Sequence, residues 1–214
     1  MTDDSAPREL AMFPLGGVLF PSVVLPLHVF EPRYRAMVTH LVSGDVEPEF
    51  GVVLIERGSE VGGDDQRGNI GTLARIVQAA ELPDGRWALV TFGVSRLRVR
   101  EWLPDDPWPR AIVVDHPDEP ELPAGARERW AALQPLVRRV LGLAAELGEA
   151  ALPATTELAS EPGLGAFQAA AAVPIGPFDA QRVLNAAGAS ARLELLAELL
   201  DEQAELLEGR LRLG

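Results

Sequence analysis

The chain has 214 residues, 47% of them apolar and 24% charged, with a net charge of −13. That is enough apolar material for one large domain or two smaller ones, and the acidic balance disfavours nucleic acid and anionic membrane surfaces, which take their affinity from cations. All 19 basic residues are arginine and there is no cysteine, which excludes Schiff-base lysines, Ser-Lys dyads, phosphate-loop lysines, thiolate nucleophiles, disulfides and cysteine-based zinc sites within this sequence.

Residues 1–9, "MTDDSAPRE", read as a disordered, polar leader that is not a signal peptide. No apolar run approaches the roughly 18 residues of a membrane span, and a soluble, cytoplasmic protein is expected. From Leu10 to Asp118 the texture is that of strands. "FGVVLIE" (50–56), "IGTLARIVQAAEL" (70–82), "RWALVTFG" (86–93), "VSRLRVREW" (94–102) and "RAIVVDH" (110–116) are short apolar or alternating runs. "PDG" (83–85) between two of them is a turn signal. Short strands with turns between them predict a sheet or a small barrel.

One helix interrupts the strands. Pro32 suits its first position, Glu31 is expected to cap it, and Tyr34, Met37, Val38 and Leu41 recur at helical spacing. Gly44 is available for a left-handed stop. Past "HPDEPELPAG" (116–125), Pro-rich and acidic, the sequence reads as helices. Trp130, Leu133, Val137, Val140, Leu141 and Leu147 make one stripe, and three further helices cover 163–173, 177–188 and 190–211. The predicted division is a leader over 1–9, a β-rich part over 10–118, a linker over 119–125 and a helical part over 126–214. The fold class is α+β.

Three groups of residues invite a chemical reading. In "VLPLHVFEPRYRAM" (24–37), His28, Glu31 and His40 have the outline of a metal set. Glu31 and His40 are more than about 12 Å apart along the helix, however, so a strand-to-helix corner is the better reading. Arg96, Arg98 and Arg100 share one strand face opposite Leu97 and Val99. A solvated face with acidic partners is favoured there over a nucleic-acid surface. "GNIGT" (68–72) lacks the lysine of a phosphate loop and leads into a strand. No nucleophile elbow of the G-x-S-x-G kind is present, so the protein is not expected to be an enzyme, and no cofactor or metal is expected.

"MFPLGGVLFPSVVLPLHVFEPRYRAMV", followed by "FGVVLIE", "GTLARI", "LPDGRW" and "RLRVRE", resembles the N-terminal substrate-binding domain of Lon proteases, the LON domain. The resemblance covers residues 10–118, and the helical remainder looks like the helical subdomain that follows. It implies a PUA-like β-barrel and a C-terminal helical bundle that recognise unfolded or tagged protein segments, on behalf of a protease or chaperone machine. No P-loop or proteolytic domain occurs in the 214 residues, so a stand-alone, non-catalytic adaptor, monomeric or weakly dimeric, is expected. The alternative is a small-ligand or RNA binder, since PUA-like folds bind RNA in other families. The expected protein-binding patch is Phe20, Pro21, Phe30, Arg33, Tyr34 and Arg35, where rigid aromatic and guanidinium groups converge. Tyr34 also lies on the apolar helix stripe, and both readings stay open for it.

Overall fold

The computed structural model describes residues 6–57, 66–119, 125–149 and 152–213. Residues 1–5 of the expected leader and most of the expected linker, 120–124, lie outside them. The chain divides into two compact units, Met1–Pro117 and Asp118–Gly214.

Among the described residues, the first unit is a six-stranded mixed sheet and one helix. The strands are β1 (Arg8–Leu15), β2 (Val24–Val29), β3 (Glu49–Arg57), β4 (Gln66–Glu81), β5 (Trp87–Leu103) and β6 (Arg110–Asp115), with α1 (Pro32–Leu41) between β2 and β3. The order is β2-β5-β4-β3-β1-β6, and β5 also pairs with β6. β1 and β3 run parallel, with Phe13 beside Val52 and Leu15 beside Leu54. β1 opens at Arg8, inside the stretch expected to be leader. Its first residues pair with β6, Arg8 with Val113 and Glu9 with Ile112, and Arg8 donates to Asp115 at 3.0 Å.

Alternation along the strands builds two apolar clusters on opposite sides of β1, β3 and β4. Phe13, Phe50, Val52, Ala74 and Ile76 join Tyr34, Met37, Val38 and Leu41 of α1. Met12, Val53, Leu73, Leu97, Val99, Ala111 and Val113 form the other. The continuous apolar run of β3 is the consequence, because both of its faces are covered. Glycine makes the closest approaches. A Cβ at Gly71 would lie 2.1 Å from the Val52 carbonyl oxygen, and one at Gly93 would lie 2.2 Å from that of Phe20.

Two local expectations need correction. Glu31 precedes α1, but its side chain makes no capping bond; it accepts from Arg33 Nε at 3.2 Å instead. The three arginines of β5 do not share one solvated face. Arg96 is buried, while Arg100 is exposed, and Arg96 donates to the Pro117 carbonyl at 3.2 Å. The register against β4 shifts between Leu73 and Ala74, next to Ser95, and that against β6 shifts between Val99 and Glu101. Such bulges bend and twist a strand, so the simple two-residue period fails along β5.

The second unit holds α2 (Ala126–Glu146), α3 (Pro162–Ala172), α4 (Pro177–Asn185) and α5 (Ala189–Leu213), and α5 packs against the other three. α2 buries Trp130, Leu133, Val137, Val140 and Leu141 of the stripe read from sequence, while its last member, Leu147, is the half-buried C-cap. Glu161 caps α3 by accepting from the Gly163 and Leu164 N–H groups. α5 carries Arg192 into the interior of this unit. Its guanidinium lies 3.6 Å from the Phe167 ring centroid and donates to Asp118 Oδ1 at 2.7 Å, to Asp118 Oδ2 at 3.1 Å and to the Gly163 carbonyl at 3.3 Å.

Candidate protein-binding site

The strand-to-helix corner forms a groove. Its walls are Phe13, Pro14 and Leu15 from β1, Leu27, His28 and Val29 from β2, and Phe30, Glu31 and Tyr34 at the entry to α1. The space is about 140 Å³, room for one or two side chains. Most of the lining is apolar. The floor is rigid, because Phe13 and Tyr34 stack with centroids 4.2 Å apart and planes at 17°. Two rigid rings in van der Waals contact lose little entropy when a third apolar group joins them.

The six residues expected in the patch separate here. Phe20 is 2% exposed and Tyr34 is 3% exposed, so both are core, as is Pro21. The segment holding Phe20 and Pro21 is tucked against β5: the Ser22 N–H donates to the Gly93 carbonyl at 2.8 Å and the Gly93 N–H to that of Val23 at 2.9 Å. The buried Thr72 hydroxyl adds a 2.6 Å bond to the Leu19 carbonyl. Tyr34 nonetheless lines the groove. Phe30 is 56% exposed and stands on the rim.

The two arginines also differ. Arg33 is held in place. Its guanidinium lies 4.7 Å from the Tyr34 ring centroid and reaches Glu31 at 3.2 Å and Asp105 at 3.8 Å. Asp105 is shared with Arg67 at 3.4 Å. Arg35 turns toward the β4–β5 hairpin, where it lines a separate pocket with Gly85 and Trp87. That hairpin closes through bonds from the Leu82 N–H to the Arg86 carbonyl and from the Gly85 N–H to the Leu82 carbonyl, both 2.8 Å. At its tip the Arg86 backbone N–H, reinforced by the Arg86 guanidinium, holds the Asp84 carboxyl below its ordinary value.

Sequence reasoning missed the β1 wall, Phe13, Pro14 and Leu15, and Leu27 of β2. A signal existed for Leu27, since apolar residues alternate along "VLPLHV". Nothing local tells that β1 returns to the same corner. His40 faces Trp108, ring centroids 5.6 Å apart. Among the described residues no group of three His, Asp or Glu side chains is placed to hold a metal ion, and no helix is long and apolar enough to cross a membrane. The arginine stripe that an RNA-binding reading would use is broken up: Arg96 is buried and Arg98 stands 3.3 Å from the His116 ring nitrogens.

Known proteins resemble this protein over most of its length. It is 28% identical over 217 residues to a Lon protease of Desulfosudis oleivorans, covering 97% of this sequence and 25% of the relative. It is 31% identical over 208 residues to a Lon protease of Anaeromyxobacter dehalogenans, covering 96% and 24%. The 214 residues thus span about a quarter of the length of the curated relatives they match. A Lon N-terminal domain protein from Xanthomonas campestris has the same fold, with a TM-score of 0.61 and 24% identity over 88% of this protein and 96% of that one. So does the N-terminal domain of the Mycobacterium avium complex Lon protease, with a TM-score of 0.64 and 15% identity over 91% and 98%. The profile of the ATP-dependent protease La (LON) substrate-binding domain matches residues 9–202, and the protein belongs to this LON substrate-binding domain family.

Proposed function

We propose that the protein binds apolar segments of other proteins that are unfolded or otherwise exposed, and that the groove between β1, β2 and the start of α1 receives them. The observation that carries this reading is Phe30. A large aromatic side chain stands 56% exposed on the rim of a groove floored by the stacked rings of Phe13 and Tyr34. Aromatic anchors of this kind dominate interface energetics. Family membership supports the same reading, since the family is defined by substrate binding for an ATP-dependent protease.

The finer assignments follow from it. The succession of pairings β5-β4-β3-β1-β6, with β6 returning to β5, supports a closed PUA-like barrel in the first unit, and the four helices of the second support a bundle. The role is that of a binding module without peptidase or ATPase chemistry of its own, acting in the cytoplasm with a protease or chaperone machine. No lysine is present in these residues to form a Ser-Lys dyad.

The test is binding of a reduced, carboxymethylated model protein, followed by fluorescence anisotropy, to the parent protein and to Phe30→Ser. A rim aromatic worth about 1–2 kcal/mol predicts a five- to thirty-fold loss of affinity, roughly, with an unchanged melting temperature. Undiminished binding by the variant would place the site elsewhere.

A further inference from the structure

Arg35 has an environment unlike that of the other arginines inside the fold. Its Nε is buried and bonds nothing, as is true of Arg110 and Arg192, but those two arginines have partners at their terminal amino groups. Among the described residues, every other buried or half-buried arginine has a hydrogen-bonded partner. The Arg35 side chain has none, in a protein with 32 acidic residues. The hairpin turn explains why its guanidinium stays where it is. Gly85 holds φ 76°, and a Cβ there would come within 2.2 Å of the nearer amino group of Arg35. The guanidinium therefore lies against bare backbone. Arg35 lines an open pocket of about 290 Å³ together with Pro32, Thr39, Glu81, Gly85 and Trp87, and it is the one cation among them.

This pocket adjoins the groove. Val29 lines the groove, Trp87 lines the Arg35 pocket, and the two residues are ladder partners on β2 and β5. Glu31 and Pro32, consecutive in sequence, stand one in each lining.

We propose that the Arg35 pocket receives a carboxylate of the protein segment whose apolar residues occupy the groove; this rests on the groove being the binding site. A half-buried guanidinium without an internal acid is already desolvated at Nε, and its planar fork matches a carboxylate. Glu81 lines the same pocket outside ion-pair distance. Its negative charge opposes a second anionic group, so the site takes one carboxylate and not an acidic run. That carboxylate is either a Glu or Asp side group or the free C-terminal carboxylate of the bound polypeptide.

The experiment uses short labelled peptides of leucine, phenylalanine and alanine in three forms: a free C-terminal carboxylate, a C-terminal amide with one internal glutamate, and a C-terminal amide with glutamine in its place. Binding is measured at about 0.15 M salt, where distant charges of the acidic protein are screened within roughly 8 Å. The parent protein is expected to bind at least one acidic form about tenfold more tightly than the neutral one, and the form that gains identifies the source of the carboxylate. In Arg35→Gln that preference should vanish while affinity for the neutral peptide is retained. Arg35→Lys, which keeps the charge and loses the fork, should restore part of it and serves if the glutamine variant folds poorly. Equal affinity of the parent for all three peptides, or a preference that survives in Arg35→Gln, overturns the carboxylate site and leaves the groove reading standing. Failure of every peptide to bind overturns both.

Discussion

The Arg192–Asp118 pair offers an asymmetric prediction. The Arg192 side chain is 0% exposed, whereas that of Asp118 is 38% exposed. If Asp118 is changed to Ala, a guanidinium is stranded inside the second unit with one carbonyl and one aromatic face for company. Leaving a buried charge uncompensated costs about 3–5 kcal/mol. If Arg192 is changed to Met, the volume over Phe167 is largely kept and no charge remains inside. The Asp118 carboxylate turns to the water it already touches. The charge-assisted bonds lost, about 1.5–3 kcal/mol, are offset by the desolvation of a guanidinium that no longer has to occur, so about 0–2 kcal/mol is expected. Asp118→Ala should therefore be the more damaging change by roughly 2 kcal/mol. Urea unfolding followed by far-ultraviolet circular dichroism reads this directly. With a slope of about 2 kcal/mol per molar urea, the two midpoints should differ by about 1 M. Equal midpoints, or a lower one for Arg192→Met, would refute the argument that the exposed partner is the dispensable one.

Leu97→Ala should cost about 2–5 kcal/mol, because a fully buried side chain is replaced by a cavity between paired strands that cannot collapse. Arg100→Ala, on the exposed end of the same stretch, should stay within about 0.5 kcal/mol; both are measured by denaturant melts. Gly93→Ala should abolish soluble expression of the first unit or lower its melting temperature sharply, since its Cβ would meet backbone oxygen at 2.2 Å and backbone has little freedom to retreat. Glu149 titrates below its unfolded value of 4.5, mainly through its hydrogen bond from Arg210. Its stabilising share is complete above that value and fades as the pH falls through the lowered folded one. Glu149→Gln should thus flatten the acid side of the stability profile of the second unit slightly, as followed by thermal melts at stepped pH.

Much of the fold was legible where one period governed a segment. Tyr34, Met37, Val38 and Leu41 are the buried face of α1, as their spacing indicates, and Leu97 and Val99 are interior. The Arg96 expectation failed because it assumed a constant period in a strand of 17 residues that carries register shifts. The exposure of the residues expected in the patch was only partly legible. Phe30 stands on the surface, but Phe20 and Pro21 do not, and what decides this is Gly93, more than 70 residues later in the sequence: its missing side chain lets the Phe20 backbone press onto β5. Arg35 is harder still. Glu31 stands four residues before it, the spacing at which a helix pairs opposite charges, so sequence alone points to a partner. In the structure Glu31 serves Arg33, and Arg35 is drawn to the glycine turn instead.

β2 lies at the end of the strand order, with β5 as its ladder neighbour, and Pro26 sits in the middle of it, opposite Val90. An outer strand tolerates proline because the absent N–H would have pointed away from the sheet. The same absence makes the strand a poor template for another copy to extend. On the proposed reading, a surface that takes up loose apolar polypeptide would be open to fibrillar growth, and growth needs an uninterrupted row of donors along an edge. On that reading the break at Pro26 would limit what accumulates beside the groove: a bound segment would be held by its side groups, while the strand next to it gives no continuous rail along which such segments could stack into a sheet.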